Sequence, residues 1–340
     1  MGYRVRLREQ LKYLAQKERE AAVKINIVGV GGCGNNAINN LARLRLPAKL
    51  IAMNTDSAVL RRTRCDVRVL LGGLSAEARG ARGVPELGAQ AMEESIEEAI
   101  GAIDENVDVV IGIAGLGGGT GTGGLPVLFR ELRTKRPNAL RIAVVTLPFK
   151  EEGEERIKNA QIGLRELMDV SDAIIVNAND LLAERLRGVS MAYAFKEMDK
   201  RIARIVEALV RMQSPVIGPG VINVDFSNVQ RLMQNSGFCF VGVGEGPRIY
   251  DAYIKAIADD YARSRLEQAR GAILMFEGRE TLLDMTQIRT TTRQFSEKYA
   301  IPTVFLGLRP TWDITDVRVS VFVTSIKCEY VEEFMSGFMG

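Results

Sequence analysis

The chain contains no histidine in 340 residues. That excludes every Ser-His or Cys-His catalytic set and most metal centres, and leaves Asp, Glu, Lys, Arg and the backbone to do any chemistry. Cysteine is scarce, and Cys33, Cys65, Cys239 and Cys328 have no paired spacing. A zinc site or a disulfide frame is therefore not expected, and a reducing, cytoplasmic setting is. No apolar run approaches the ~20 residues of a membrane span. Met1 to Glu20 is charged throughout and lacks the apolar centre of a signal peptide. A net charge of +3 is too small to imply nucleic acid as a partner. What remains is a globular chain, 46% hydrophobic, long enough for two domains or one large one.

Glycine, by contrast, is concentrated. Gly115 to Gly124 (GLGGGTGTGG) carries seven glycines in ten residues. It follows Val107 to Ala114, which reads as a buried strand, and precedes Leu125 to Arg136, which reads as a helix. A strand, a glycine loop and a helix start together aim backbone N–H groups and the positive helix end at an anion. So many glycines cost chain entropy, which is tolerated where backbone must approach a ligand closely. A second such junction comes earlier. Lys24 to Gly31 reads as a strand, Gly29, Gly31 and Gly34 fit GxGxxG, and a helix follows to about Arg45.

Further strands are expected at Leu50–Met53, Val67–Leu71, Arg141–Val145 and Ala173–Val176, with helices up to Ile103 and over Glu152–Val170. Strands alternating with helices predict right-handed βαβ units in a parallel sheet, with ligands at the carboxyl ends of its strands. The loops at 31–36, 54–56, 80–86 and 117–123 would then share one edge. From Ser190 the pattern changes. A long apolar helix runs to about Gln213, and Gly218-Pro219-Gly220 breaks the chain. Arg248 to about Ala269 and Asp284 to Tyr299 read as helices. Phe238–Gly244, Ala272–Phe276, Thr303–Leu308 and Val317–Ile326 read as strands of a mixed sheet. Leu7, Leu11 and Leu14 mark a short amphipathic arm, either solvated, packed or on a membrane surface. Tyr330, Phe334 and Phe338 mark a tail that either packs on the body or docks elsewhere.

Gly31 to Asn36, Asn54-Thr55-Asp56, Gly117 to Gly123 (GGGTGTG), Pro148-Phe149 and Asn223-Val224-Asp225-Phe226 follow one another in order. That series resembles the FtsZ branch of the tubulin superfamily, from about Val23 to about Ile326. Phe195-Lys196-Glu197-Met198-Asp199 resembles its archaeal members. The resemblance implies a Rossmann-like parallel-sheet GTPase domain, a long central helix and a smaller α/β carboxyl-terminal domain with a mixed sheet. It divides the chain into an arm (1–22), a GTP-binding domain (23–189), a connecting and central helix (190–214), a polymerisation domain (215–327) and a short tail (328–340).

The same resemblance assigns roles. Gly31, Gly32, Cys33, Gly34, Asn35 and Asn36 would wrap the α- and β-phosphates. Gly117, Gly118, Gly119, Thr120, Gly121, Thr122 and Gly123 would hold phosphates through backbone and hydroxyl donors. Gly80, Ala81, Arg82 and Gly83 would lie near the γ-phosphate, with Asn54 and Asp56 near it and its magnesium, which phosphates and water would hold without direct protein ligands. Glu152 and Arg156, four apart on one helix face, resemble ribose and phosphate contacts. Asn179 and Asp199 would read the guanine edge, with Phe195 stacked on the ring. Asp225, with Asn223 before it, would enter the pocket of the next subunit and orient the attacking water. The family's second acid is replaced by Asn228, which cannot take a proton or carry charge. Asp225 also reads as an ordinary helix N-cap.

Implied ligands are GTP or GDP with magnesium. Implied partners are the chain itself, head to tail, a paralogue holding both acids, and a membrane tether. The implied place is the cytoplasm at the division site. Arg82, where the family has glycine, is either a cation for the γ-phosphate or a solvated side chain. Two rivals stay open. One is a weakly hydrolysing or non-hydrolysing GTP-binding polymer that co-assembles with or regulates another filament protein. The other is a nicotinamide-dependent oxidoreductase built on Gly29 to Gly34, with Asp56 on the ribose.

Overall fold

The computed structural model describes residues 23–73, 80–214, 220–267 and 269–337. The expected arm at 1–22, most of the Gly218–Gly220 break and Phe338 lie outside the described residues. Ten strands form one sheet in the order β10-β9-β11-β7-β6-β5-β4-β1-β2-β3.

The parallel half comprises β1 (Ile25–Val30), β2 (Lys49–Asn54), β3 (Val67–Leu70), β4 (Val109–Gly115), β5 (Leu140–Leu147) and β6 (Ala173–Ala178). β1 shows why these runs are apolar without alternation. Ile25 and Ile27 pack in one core, Val28 and Val30 in the other, because helices cover both faces. One face holds α1 (Gly31–Leu41) and the long α8 (Met191–Gln213). The other holds α3 (Pro85–Glu94), α4 (Ile96–Ala102), α5 (Thr120–Lys135) and α6 (Glu154–Val170). The short α2 (Ser57–Arg62) and α7 (Asn179–Arg185) complete this half.

β7 (Gly237–Gly246) joins β6 through only two residue pairs, Ala173↔Gly237 and Ile174↔Phe238. Beyond it the sheet is mixed, as expected. β11 (Val317–Thr324) runs antiparallel to β7 and β9 (Gly271–Gly278), and β10 (Val304–Pro310) runs parallel to β9. α9 (Phe226–Met233), α10 (Ile249–Ala258) and α11 (Met285–Tyr299) pack on this half. The tail forms α12 (Glu329–Ser336) and packs on the body. Tyr330 and Val331 are buried, and the Tyr330 hydroxyl donates to Asp180 at 2.7 Å.

Three element boundaries differ from expectation. The helix expected up to Ile103 breaks at Ser95, whose Oγ accepts from Gly72 N and donates to Leu70 O, tying the break to the end of β3. The helix expected to reach Ala269 stops at Ala258. Asp259 turns back to accept from Val243 N, and the chain goes on to form β8 (Ser264–Arg265), which pairs with β12 (Lys327–Cys328). Glu152 is not on a helix with Arg156. It ends a 3₁₀ turn at Lys150–Glu152, and Gly153, at φ +99, separates that turn from α6.

Candidate functional site

A cavity of about 350 Å³ opens at the carboxyl ends of β1, β4, β5 and β6, within the range of small-molecule sites, roughly 300–1,000 Å³. Two helices start at it. α1 begins at Gly31 and α5 at Thr120, neither has a side chain capping its N-terminus, and neither has an acid in its first turn. The first N–H groups of a helix need partners, so two sets of orphan donors and two positive helix ends meet at one place, an arrangement suited to a polyanion.

The glycines sort into two kinds. At Gly34 an added Cβ would sit 2.4 Å from Ile113 O, at Gly119 2.6 Å from Ala81 Cβ, and at Gly123 1.9 Å from Pro85 O, so packing alone requires glycine there. At Gly32 and Gly118 a Cβ would meet nothing within 4 Å, and both line the cavity. The protein itself does not need those two positions bare. A ligand lying on the backbone does.

Of the expected nucleotide residues, Gly31, Gly32, Cys33, Asn36, Gly118, Gly119, Thr120, Gly121, Glu152, Arg156, Asn179, Phe195 and Asp199 line the cavity. The rest stand behind it. Asn35 donates to Gly29 O and accepts from Asn54 at 2.6 Å, and Asn54 Oδ1 accepts from Asp56 N. Asp56 caps α2 through Ala58 N and Val59 N, which leaves the ribose-binding reading of that acid without support. Thr122 Oγ1 accepts from Gly117 N at 2.9 Å and braces the glycine loop from inside. Gly80, Ala81, Arg82 and Gly83 also lie outside the lining. Ala81 N donates to Thr55 Oγ1, Gly83 O accepts from Asn159, and Arg82 is exposed at φ +46.

Sequence reasoning passed over Val30 and Thr146, near the carboxyl ends of β1 and β5, and assigned no nucleotide contact to Gly115, Leu116, Pro148 and Met198, which it named only within motifs, yet all six line the cavity. For Val30 and Thr146, position near a strand end was the available signal. Thr55 was likewise named without a role, and its hydroxyl lies 2.8 Å from that of Thr120 and links β2 to the start of α5.

At the far end of the cavity the lining combines an aromatic ring with an amide and a carboxylate. Phe195 meets Phe149 edge-on, with centroids 5.2 Å apart. Asn179 is 5% exposed and its Oδ1 has no hydrogen-bond partner. Burial pushes the Asp199 carboxyl up to about 6. An unpaired buried amide oxygen and a desolvated carboxylate are each costly, and a ligand donating to both would relieve them. Burial and the Asp199 charge push the Cys33 thiol up to about 12, so it stays protonated against Thr146. Glu152 pairs with Arg156 despite the intervening glycine.

Asp225, Asn223 and Asn228 do not reach the cavity. Asp225 is exposed and caps α9, accepting from Ser227 N at 2.8 Å, and the Ser227 hydroxyl, then its N–H, hold its carboxyl below the usual range. Asn228 accepts from Arg231. Gln230 on the same helix donates to Asn138 O, in the turn that enters β5, at the amino edge of the sheet. The cavity lies at the carboxyl edge. β5 alone, eight residues long, separates the two edges by about 26 Å at 3.3 Å per residue.

These features define a doubly wound α/β protein with a cavity, at two uncapped helix starts, that suits a polyanion. Residues 24–187 match the family model described as Tubulin/FtsZ family, GTPase domain. Cell division protein FtsZ 1 of Pyrococcus horikoshii is 34% identical over 329 residues, covering 95% of this chain and 86% of that protein. FtsZ 1 of Methanocaldococcus jannaschii is 38% identical over 279 residues, 81% and 74% of the two chains. The solved empty FtsZ dimer from M. jannaschii superposes with a TM-score of 0.84 at 34% identity, covering 93% and 92%. A protofilament of CetZ2 from Haloferax volcanii with GTPγS shares the fold, with a TM-score of 0.79 at 24% identity, covering 92% and 97%. The chain belongs to the tubulin/FtsZ family of GTPases.

Proposed function

We propose that this protein binds GTP in the cavity, stacks head to tail into filaments, and hydrolyses GTP only where two copies meet. The carrying observation is the separation of the two parts: cavity at one edge of the sheet, Asp225 at the other, so no copy can bring its own acid to its own nucleotide. In a head-to-tail stack each amino edge faces the next carboxyl edge.

Gly31 to Asn36 and Gly118 to Thr120 hold phosphate oxygens through N–H groups. Asn179 and Asp199 read guanine, because an ionised Asp199 accepts from N1–H and N2–H₂ together. Magnesium, when bound, would be held through phosphate oxygens and water and would supply charge neutralisation on the phosphates. Asp225 orients the attacking water. Asn228 leaves that water with one negative charge fewer than two acids provide, so turnover is slow. The filament serves cell division in the cytoplasm, and a tether protein holds it at the membrane. Residues 23–189 act as the nucleotide domain and 215–327 as the polymerisation domain, with 190–214 joining them.

Sedimentation with GTP against GDP tests assembly, and failure to pellet with GTP across salt and protein concentration would refute it. Asp225→Ala should bind GTP with unchanged affinity yet release no phosphate. Asn228→Asp should raise kcat several-fold if the missing charge limits turnover. A flat rate would place the deficit elsewhere. One observation favours a second reading, a polymer that hydrolyses only beside a fully acidic paralogue: Asn228 is already engaged by Arg231. Phosphate release from the pure protein separates the two.

A further inference from the structure

Two residues beyond Asp199 on α8 lies Arg201, which the nucleotide site does not use. It is 3% exposed. Its Nε donates to Asn177 Oδ1 at 2.9 Å, its Nη2 to Val241 O at 3.4 Å, and its Nη1 pairs with Asp259. Its guanidinium lies 4.1 Å from the centroid of the Tyr261 ring, on which Arg185 also stacks.

These contacts reach two strands, the end of a helix and the loop at Tyr261. Asn177 is on β6, two residues before Asn179, and its own Nδ2 donates to Val145 O on β5. Val241 is on β7. Asp259 ends α10 and accepts from Val243 N. We propose that Arg201 is a positioning residue for guanine recognition: by tying β6 to α8 one step behind the cavity wall, it sets the spacing between Asn179 and Asp199, and through Asp259 and Val241 it fixes that wall to the second half of the molecule. Asn179 and Asp199 sit on different elements, and among the described residues the Arg201–Asn177 bond is the side-chain hydrogen bond that links β6 to α8. A lysine could satisfy one of these directions, whereas the planar fork serves three and presents its face to the fourth. The inference rests on the reading that Asn179 and Asp199 recognise guanine.

The test compares GDP with IDP, which lacks the N2 amino group. Wild type should prefer GDP roughly tenfold, the worth of one hydrogen bond to a charged acceptor. Arg201→Met and Arg201→Lys should both weaken GDP roughly tenfold and bring the IDP-to-GDP ratio of Kd values towards one, since a displaced wall no longer aims both acceptors. Asn177→Ala keeps the Arg201–Asp259 pair inside the fold and should shift the ratio in the same direction, so the assignment stands or falls on it even if Arg201→Met does not fold. If the variants weaken GDP and IDP by one common factor, or only lower Tm, Arg201 is a packing residue and the proposal is overturned. A wild-type ratio of one would instead overturn guanine reading by Asn179 and Asp199, and this proposal with it.

Discussion

Asp199 has the most consequential environment in the chain. Burial holds its carboxyl at about 6, and a group raised in the folded state contributes stability that is present below its unfolded value and lost as pH rises through the folded one. The ligand-free protein should therefore lose an increment of stability between about pH 4 and pH 6, and Asp199→Asn should remove that slope in pH-dependent melting. Guanine binding through Asp199, as proposed, would have the opposite sign. It would need the ionised form, so GDP affinity should fall about tenfold per pH unit below 6 and stay flat above, as isothermal titration would show. Asp199→Asn should also exchange preference from guanine to xanthine, whose C2 carbonyl accepts from an amide N–H. None of this could be read from the residue type, since an Asp at this spacing on a helix is as often a solvated acid. The resemblance pointed to it, and the fold supplied the burial. Arg201 left no signal at all, because a buried arginine and an exposed one look alike in a sequence.

Among the elements, the strand–glycine–helix junctions were legible, because periodicity and glycine content both change there. What the sequence could not separate was glycine needed by packing from glycine needed by a ligand. The structure makes that a measurable difference. Gly32→Ala and Gly118→Ala should leave Tm within a few degrees of wild type, Gly32→Ala even gaining from better helix propensity, while weakening GTP at least tenfold. Gly123→Ala should do the reverse and destabilise by several kcal/mol through the Pro85 carbonyl it would strike. Thermal melts paired with nucleotide titration distinguish the two classes, and equal loss of Tm in all three would count against the sorting. Two of the misread helix ends, at Ser95 and Asp259, share one cause. Neither Ser95 nor Asp259 is preceded by glycine or proline, and each stops its helix by a bond to a distant strand, Leu70–Gly72 in one case and Val243 in the other. Contacts that far along the chain leave no local mark.

At the scale of the molecule, α8 is the member that spans the two functional edges. It carries Phe195 and Asp199 at the cavity and ends at Gln213, capped by Ser214, where Arg309 donates to the carbonyls of Arg211 and Ser214. From Asp199 to Ser214 the helix rise of 1.5 Å per residue gives about 22 Å. The parallel half and the mixed half were both legible as patterns. Their union in a single ten-stranded sheet was not, because it rests on the two pairs between β6 and β7. If the two edges must meet for turnover, mixing tells more than any single variant. A copy with Asp225→Ala, added in increasing proportion to wild type, should lower phosphate release per pocket in step with its share of amino edges, while pelleting persists. Hydrolysis unaffected by such doping would mean that each copy acts alone.

The placement of acid and cavity at opposite edges also makes the two ends of any filament chemically unlike. In the proposed head-to-tail stack, one terminal copy would have a filled pocket with no neighbour over it, and the other an Asp225 with nothing to act on. A chain of n copies would then hold n − 1 working centres. The nucleotide in the uncovered pocket would outlive all the others until another copy arrives, so the length of the polymer, and the rate at which copies add to that one end, would set how much intact triphosphate it carries.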